Sequence, residues 1–395
     1  MRVLKAEVFN PENDTYGDIE LPASYEEMED CLQMLNADNE HCAVDLQYFL
    51  GDVSYLEQAT IQSCSLYEMN YLATLLQDMN DYQKLQFSGI AQAEGKEFPT
   101  INEVINYALN VPTLDCFHAP ATSDSELADF YIDNELLPQL ADLENLSDEQ
   151  YEWFCNHLDL GKVGKEIREG EHGVFTTAGY FVKNEEIKQL YDGNPIVPKP
   201  CDYIFKLSII PNQTDNEENL IELKLPASTV DVQKALDEVG AINIQYCCFH
   251  SYESLVIPQL KDCDVGNDEF HSLNQLAENI NGMSGDDLVK FKAMLEVAQC
   301  QTIETAVSIS ENMEDFGLNR DFTSPSDYVD EYFAILNLPM REQISAYLAK
   351  DEYGRALMKE DGVEASSYGM LVPDSGVSLT EQLEHCFQRG GMTMM

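Results

Sequence analysis

The chain has 395 residues, and its 72 Asp and Glu stand against 22 Lys and Arg, a formal net charge of −50. That balance excludes nucleic acid or an anionic bilayer as a ligand held by charge, because both need basic patches. At 44% hydrophobic, with 20 Tyr and 17 Phe, the composition is that of a folded chain of more than one domain rather than of acidic disorder.

No apolar run reaches the ~18 residues needed to cross a bilayer, and Met1 to Asn10 alternates like a strand rather than forming a signal-peptide core. Eleven cysteines without a Cys-x-x-Cys pair are expected as thiols in a reducing, cytoplasmic compartment.

In chain order, alternation predicts a strand over Val3–Phe9 and a second short strand. A helix capped by Ser24 with Glu27 and a return strand over Ala43–Phe49 complete the group. Three short helices follow, starting at Ser65 with Glu68, near Asp81 without a cap, and at Thr100 with Glu103. A third part opens with a helix capped by Ser123 and Glu126 and closes with glycine-punctuated strands around Val174–Val182. Pro195, Pro198 and Pro200 form a stiff linker.

The same order then repeats: a strand over Tyr203–Ile210, a helix capped by Ser228 with Asp231, and a return strand over Ile242–Phe249. Helices are expected from Asp268, from Ser284 with Asp287, and from Thr302. A further helix is expected from Ser324 with Pro325 at its first position, and strands around Val363–Val372. A last helix is capped by Ser378 and Glu381 before a Met-rich end.

Residue matches support a duplication. Leu21-Pro22-Ala23-Ser24 recurs as Leu225-Pro226-Ala227-Ser228 at an offset of 204, Thr100-Ile101 as Thr302-Ile303 at 202, and Leu137-Pro138 as Leu338-Pro339 at 201. Asp129 and Tyr131 match Asp330 and Tyr332 at 201, and Gly164-Lys165 and Gly179 match Gly354-Arg355 and Gly369 at 190. One insertion near Glu144–Gln150 accounts for the last change. The expected fold is α+β, an elongated multi-domain chain with internal duplication of a small α/β unit, a three-helix unit and an α+β unit. The boundaries are 1–60, 61–120 and 121–193, a linker at 194–200, then 201–260, 261–320 and 321–373, with a C-terminal helix and tail at 374–395.

The negative charge is spread over both halves: 38 acids against 10 Lys and Arg in residues 1–200, and 34 against 12 afterwards. From Glu97 to Asp159 there are 14 carboxylates and no Lys or Arg. Helical periodicity puts Glu126, Asp129 and Asp133 on one face, with Leu127, Phe130, Tyr131 and Leu137 toward a core, and Asp327, Asp330 and Glu331 in the matching place of the second copy. Like charges so spaced cost roughly 0.2–0.5 kcal/mol per pair, and solubility needs only about 2–8 net charges for a small domain. Fifty charges on one elongated body would match about 85 Å, or roughly 25 base pairs, of duplex. The bland reading of any one such run is a solvated face, and halophilic adaptation is a further source of acid. Mimicry of a nucleic-acid polyanion accounts best for the whole-chain pattern.

At Asp129-Phe130-Tyr131-Ile132-Asp133, at Ala346-Tyr347-Leu348 through Tyr353-Gly354-Arg355-Ala356-Leu357, and at Ser366-Ser367-Tyr368-Gly369, the chain resembles the ArdA family of antirestriction proteins of plasmids, transposons and phages. The resemblance implies a small α/β domain, a helical domain and an α+β domain in each of two fused copies over about residues 1–373. It also implies a DNA mimic that occupies the DNA-binding cleft of type I restriction–modification enzymes. Family members usually dimerise, so a fused pair implies a monomer with an intramolecular pseudo-dimer, a homodimer being the other possibility. The helix bearing Asp129 or Asp330 corresponds to the family's antirestriction motif, near its dimer contact, so the resemblance leaves these acids either structural or enzyme-facing. Val163-Gly164-Lys165 departs from the Tyr-Gly-Arg signature in the first copy.

Catalytic and metal signatures are weak. Gly161 to Glu166 lacks phosphate-loop spacing. Asp262, Asp264 and Gly266 place glycine one position early for a calcium loop, with Leu273 where a Glu is needed. Cys247-Cys248-Phe249-His250 alternates across a strand. The seven histidines show no His-Glu-x-x-His spacing, and no Gly-x-Ser-x-Gly elbow occurs.

The expectation is therefore a non-enzymatic inhibitor without catalytic residues, metal or cofactor. Its partner-binding acidic stripe comprises Glu126, Asp129, Asp133, Glu135, Asp327, Asp330 and Glu331. The expected partners are DNA-binding subunits of type I restriction–modification enzymes or another basic nucleic-acid-binding defence protein, with no direct nucleic acid and no membrane. The alternatives are an anti-CRISPR inhibitor of a basic nucleic-acid channel and an acidic chaperone or scaffold for basic proteins.

Overall fold

A computed structural model describes residues 2–49, 61, 64–137, 146–155, 157–176, 179–211, 220–336 and 344–390. The first half runs β1 (Leu4–Asn10), β2 (Thr15–Leu21), α1 (Tyr25–Met34) and β3 (Ala43–Phe49), then α2 (Leu66–Asp78), α3 (Asp81–Glu94) and α4 (Ile101–Asn110). It closes with β4 (Cys116–Ala119), α5 (Asp124–Asp133), α6 (Asp148–Cys155), α7 (Leu160–Glu171), β5 (Val174–Thr176) and β6 (Gly179–Lys183). The second half repeats the pattern as β7 (Phe205–Pro211), β8 (Ile221–Leu225), α8 (Thr229–Val239) and β9 (Cys247–Glu253), followed by α9 (Phe270–Asn281), α10 (Gly285–Val297) and α11 (Ile303–Glu311). Then come β10 (Phe316–Asn319), α12 (Pro325–Leu336), α13 (Lys350–Asp361), β11 (Glu364–Ser366) and β12 (Gly369–Pro373), and last α14 (Leu379–Gly390).

The sheets repeat as well. Their strand orders are β2-β1-β3 and β8-β7-β9 in the opening parts, and β4-β6-β5 and β10-β12-β11 in the closing parts. This is a multi-domain α+β architecture, and the duplication extends to single contacts. Asn70 accepts from the Ala23 amide at 2.7 Å and donates to the Ala23 carbonyl at 3.1 Å. Asn274, 204 residues later, does the same to Ala227 at 2.7 and 3.3 Å. Each amide thereby satisfies both backbone groups of the residue that leads into α1 or α8.

Matched glycines mark close approaches. A Cβ on Gly164 would lie 1.7 Å from the Asp124 carbonyl oxygen, and one on Gly354 would lie 2.2 Å from that of Pro325. These are the points where α7 crosses the start of α5 and α13 the start of α12. Gly179 and Gly369 have φ of +132° and +133°, with Ala119 and Asn319 carbonyls 2.4 Å from the position of an added Cβ.

Contacts divide the chain into two compact units. The first is Met1–Phe9, Asp18–Ala23 and Asn39–Val197, and the second is Asn10–Gly17, Ser24–Asp38 and Pro198–Met395. In the first unit, Leu127, Tyr131, Tyr180 and Val182 form a core flanked by Phe117 and Phe130. The Tyr131 and Tyr180 hydroxyls both donate to Glu171, at 2.8 and 2.9 Å. In the second unit one apolar cluster runs from Phe205 and Leu207 through Leu276, Phe291 and Ile303 to Leu371 and Leu379, so the three parts of that half share a core. The segment 194–200 carries neither helix nor strand.

Most helix starts follow local chemistry. Capping boxes form at Ser24 with Glu27, Ser65 with Glu68, Thr100 with Glu103 and Ser228 with Asp231. Ser284 accepts from the Asp287 amide and Thr302 from that of Thr305. Three expectations are corrected. α3 is capped after all, by Asn80, whose side chain accepts from the Gln83 amide while Gln83 answers to Asn80. α9 begins at Phe270 without a side-chain cap, because the Glu269 carboxylate accepts instead from the Gly266 amide at 3.0 Å. The return strand of the second half begins at Cys247 rather than Ile242, since Asn243 accepts from the Gln245 amide and holds Ile244–Tyr246 in a 3-10 turn. Pro138, Leu338 and Pro339 of the expected Leu-Pro match and part of the Glu144–Gln150 insertion lie outside the described residues.

Gly164→Ala and Gly354→Ala should each destabilise by about 1–3 kcal/mol, because the added methyl meets backbone that must shift. Gly170→Ala, in the same helix α7 with nothing within 4 Å, should be neutral or stabilising. Urea unfolding of the three variants checks the contrast.

Candidate functional site

Among the described residues no helix is long and apolar enough to cross a membrane, and no group of three or more His, Cys, Asp or Glu could hold a metal ion. Gly161–Lys165 lies inside α7, whose N-cap Asp159 accepts from the Lys162 amide, so its backbone amides serve a helix rather than a phosphate loop. Cys247 is buried and Cys248 exposed on β9, as alternation on a strand requires. The strongest remaining feature is the acidic face of the helices that open the closing parts.

The structure divides the seven expected residues by what their carboxylates touch. Glu126 is exposed, yet it accepts from the Thr122 amide and hydroxyl, both at 2.7 Å. The Thr122 amide, more than any other contact, holds its carboxyl below the usual range. Asp327 is half-buried and accepts from the amides of Thr323 and Ser324 at 2.9 and 2.7 Å and from both hydroxyls at 3.1 and 2.9 Å. Burial alone would raise its carboxyl, but those hydrogen bonds, led by the Ser324 hydroxyl, bring it below the usual value. Both residues therefore tie down the first turn of their helix. Each of these expected stripe residues thus also has a capping role.

Asp330 is exposed and paired with Lys350, at 2.8 and 2.9 Å. That pair spans α12 and α13. Glu135 does not lie on α5 at all: the helix ends at Asp133, Asn134 is its C-cap, and Glu135 takes φ +56° in the turn that carries the chain away. Asp129, Asp133 and Glu331 are exposed on their helices and make no ion pair among the described residues. Helix geometry separates Asp129 from Asp133 by about 6 Å of axial rise, near two phosphate steps of one DNA strand at ~3.4 Å each.

A further acid was missed by the sequence reading. Asp124, at the first position of α5, receives a bidentate fork from Arg168 of α7, Nε to Oδ1 at 2.7 Å and Nη2 to Oδ2 at 3.1 Å. This contact holds the Asp124 carboxyl below its ordinary range and fastens α7 to α5 beside the Gly164 crossing. The signal available was the cluster of Lys162, Lys165 and Arg168 on one helix, the first cations after a long acidic run. Its partner is non-local and leaves no spacing to read.

No protein-family model matches the chain, and comparison with curated proteins gives no match.

The depressed carboxyls set an acid limit. A group whose folded pKa is lowered contributes stability that is present above its unfolded value and lost as pH falls through the folded one. For Asp124 and Asp327 the loss should begin below about pH 4. Asp327→Asn should flatten the fall of stability between roughly pH 4 and pH 2, as thermal unfolding at stepped pH will show.

Proposed function

We propose that this protein is a non-enzymatic antirestriction inhibitor that presents itself as double-stranded DNA to the DNA-binding groove of a type I restriction–modification enzyme. The observation that carries the reading is the set of carboxylates left over once the fold has used its share. Asp129, Asp133 and Glu331 stand exposed on helices, with no ion pair among the described residues, in a chain of net charge −50 distributed over both halves. The ArdA-like residues and the repeated α/β, helical and α+β order of parts support the same reading.

The mechanism is competition. Lys and Arg that line a DNA groove attract a dense array of carboxylates over a Debye length of about 8–10 Å, which raises the rate of encounter and makes it fall with salt. Fold-supporting acids such as Glu126, Asp327 and Asp124 contribute to the long-range field, while the unpaired acids are free to meet target cations at contact. The helix face offers about half the linear charge density of one DNA strand, so recognition requires acids from several elements. No cofactor takes part. The fused pair is expected to act as a cytoplasmic monomer with an intramolecular pseudo-dimer.

The chain should displace a labelled cognate duplex from a type I methyltransferase at close to one-to-one stoichiometry. The triple change Asp129→Asn, Asp133→Asn and Glu331→Gln should weaken displacement by roughly 0.2–1 kcal/mol per charge removed, with the melting temperature unchanged. Glu126→Gln and Asp327→Asn should lower the melting temperature while altering displacement less. Unchanged displacement by the triple variant would remove these acids from the interface, and failure of the native chain to displace the duplex would reject this target in favour of another basic defence protein.

A further inference from the structure

Duplication made two helices of one type, α1 and α8, and the second unit holds both, α1 being contributed to it by the first half of the chain. Within that unit α1 meets four separate stretches of the second half. Lys292 of α10, only 3% exposed, donates to Asp30 Oδ1 at 2.7 Å and to Gln33 Oε1 at 2.8 Å. The Tyr368 hydroxyl donates to the same Asp30 oxygen at 2.8 Å and receives Gln259 Nε2 at 2.6 Å. Arg320 Nη2 donates to the Gln33 carbonyl at 2.6 Å, and the Cys201 amide donates to the Glu26 carboxylate.

At the offset of 204 that relates Ser24 to Ser228 and Asn70 to Asn274, the α8 residues in place of Glu26, Asp30 and Gln33 are Val230, Lys234 and Asp237. The face they form is exposed, Val230 to 76%. At the offset relating the caps Asn80 and Ser284, the first-half residue in place of Lys292 is Ser88. It is 1% exposed, and its hydroxyl has no hydrogen-bond partner.

We infer that Lys292, Tyr368 and Arg320 form a helix-docking surface whose occupant is residues 24–38 of the same chain, and that the Asp30–Lys292 pair makes this surface accept α1 and refuse an α8 helix from another copy. A buried ammonium needs a carboxylate partner, and breaking such a pair by removing one member is strongly destabilising. α8 would bring the Lys234 ammonium against Lys292, a repulsive element that discriminates between otherwise similar helices. The refusal matters for a duplicated chain. A helix of one copy that docked on the next copy would form a heterologous contact, and such contacts propagate into open assemblies when they do not close. Here the accepting carboxylate is absent from the second helix, and the donating lysine is absent from the first half. The inference does not depend on what the chain inhibits.

The test is regional hydrogen exchange on the full-length chain. Asp30→Lys, which places the α8 residue in α1, should reduce protection across 24–38 by tenfold or more, and Lys292→Asp should do the same. The double variant Asp30→Lys with Lys292→Asp should recover protection to within about threefold of the native chain. Asp30→Leu with Lys292→Met, an apolar pair that leaves no buried charge, should also retain protection and serves where a charged variant fails to fold. Additive losses in the charge-swapped double variant, or unchanged protection in Asp30→Lys, would overturn the inference.

Discussion

Seventy-two carboxylates in one folded chain must either find hydrogen-bond donors or stand in water, and this division governs the structure. Twenty-two Lys and Arg cannot neutralise them. The protein instead turns many acids toward backbone amides, where a carboxylate satisfies orphan donors at a helix start and meets the positive end of the helix dipole. Glu27, Glu68, Glu103 and Asp231 close capping boxes, and Glu126 and Asp327 reach the residues just before α5 and α12. Three of the cations fasten crossings between elements: Arg168 on Asp124, Lys350 on Asp330 and Lys292 on Asp30. Like-charge repulsion is then confined to acids on exposed faces, where solvent screens it.

Local features were legible in the sequence because their causes are local. Ser24 with Glu27 is a helix start within four residues, and Leu-Pro-Ala-Ser repeated at 204 announces a duplication that the strand orders then repeat. Asn80 with Gln83 is an equally local signature, in which an amide side chain replaces the hydroxyl and a second amide the carboxylate. The second return strand was misplaced because Ile242 fits strand alternation, while the turn that excludes it depends on one Asn243 hydrogen bond. Non-local events left no pattern. Nothing in the run Asp286 to Leu295 marks Lys292 as the buried member of a pair, since its partner lies 262 residues earlier.

The acidic stripe shows the same boundary. Periodicity placed Glu126, Asp129 and Asp133 on one face correctly, yet it gave them one role. The structure separates a capping acid from two displayed ones, because the Thr122 donors that claim Glu126 lie before the helix, beyond the reach of a helical wheel. Glu135 lies off the helix for a backbone reason, the left-handed turn that follows the end of α5 two residues earlier. Charge counting therefore overstates the number of acids free for a partner, and the functional reading rests on the smaller set that the fold leaves unclaimed.

The central claim is that this set, carried on a strongly negative body, is recognised by a basic DNA-binding groove. The association rate constant of the native chain with a type I methyltransferase, measured by stopped flow across ionic strengths from about 20 to 300 mM, tests it most directly. Electrostatic mimicry predicts fast association that falls steeply with salt, with the slope reduced in the variant lacking Asp129, Asp133 and Glu331 charges. A rate that is independent of salt, or a slope that those substitutions leave untouched, would contradict the account.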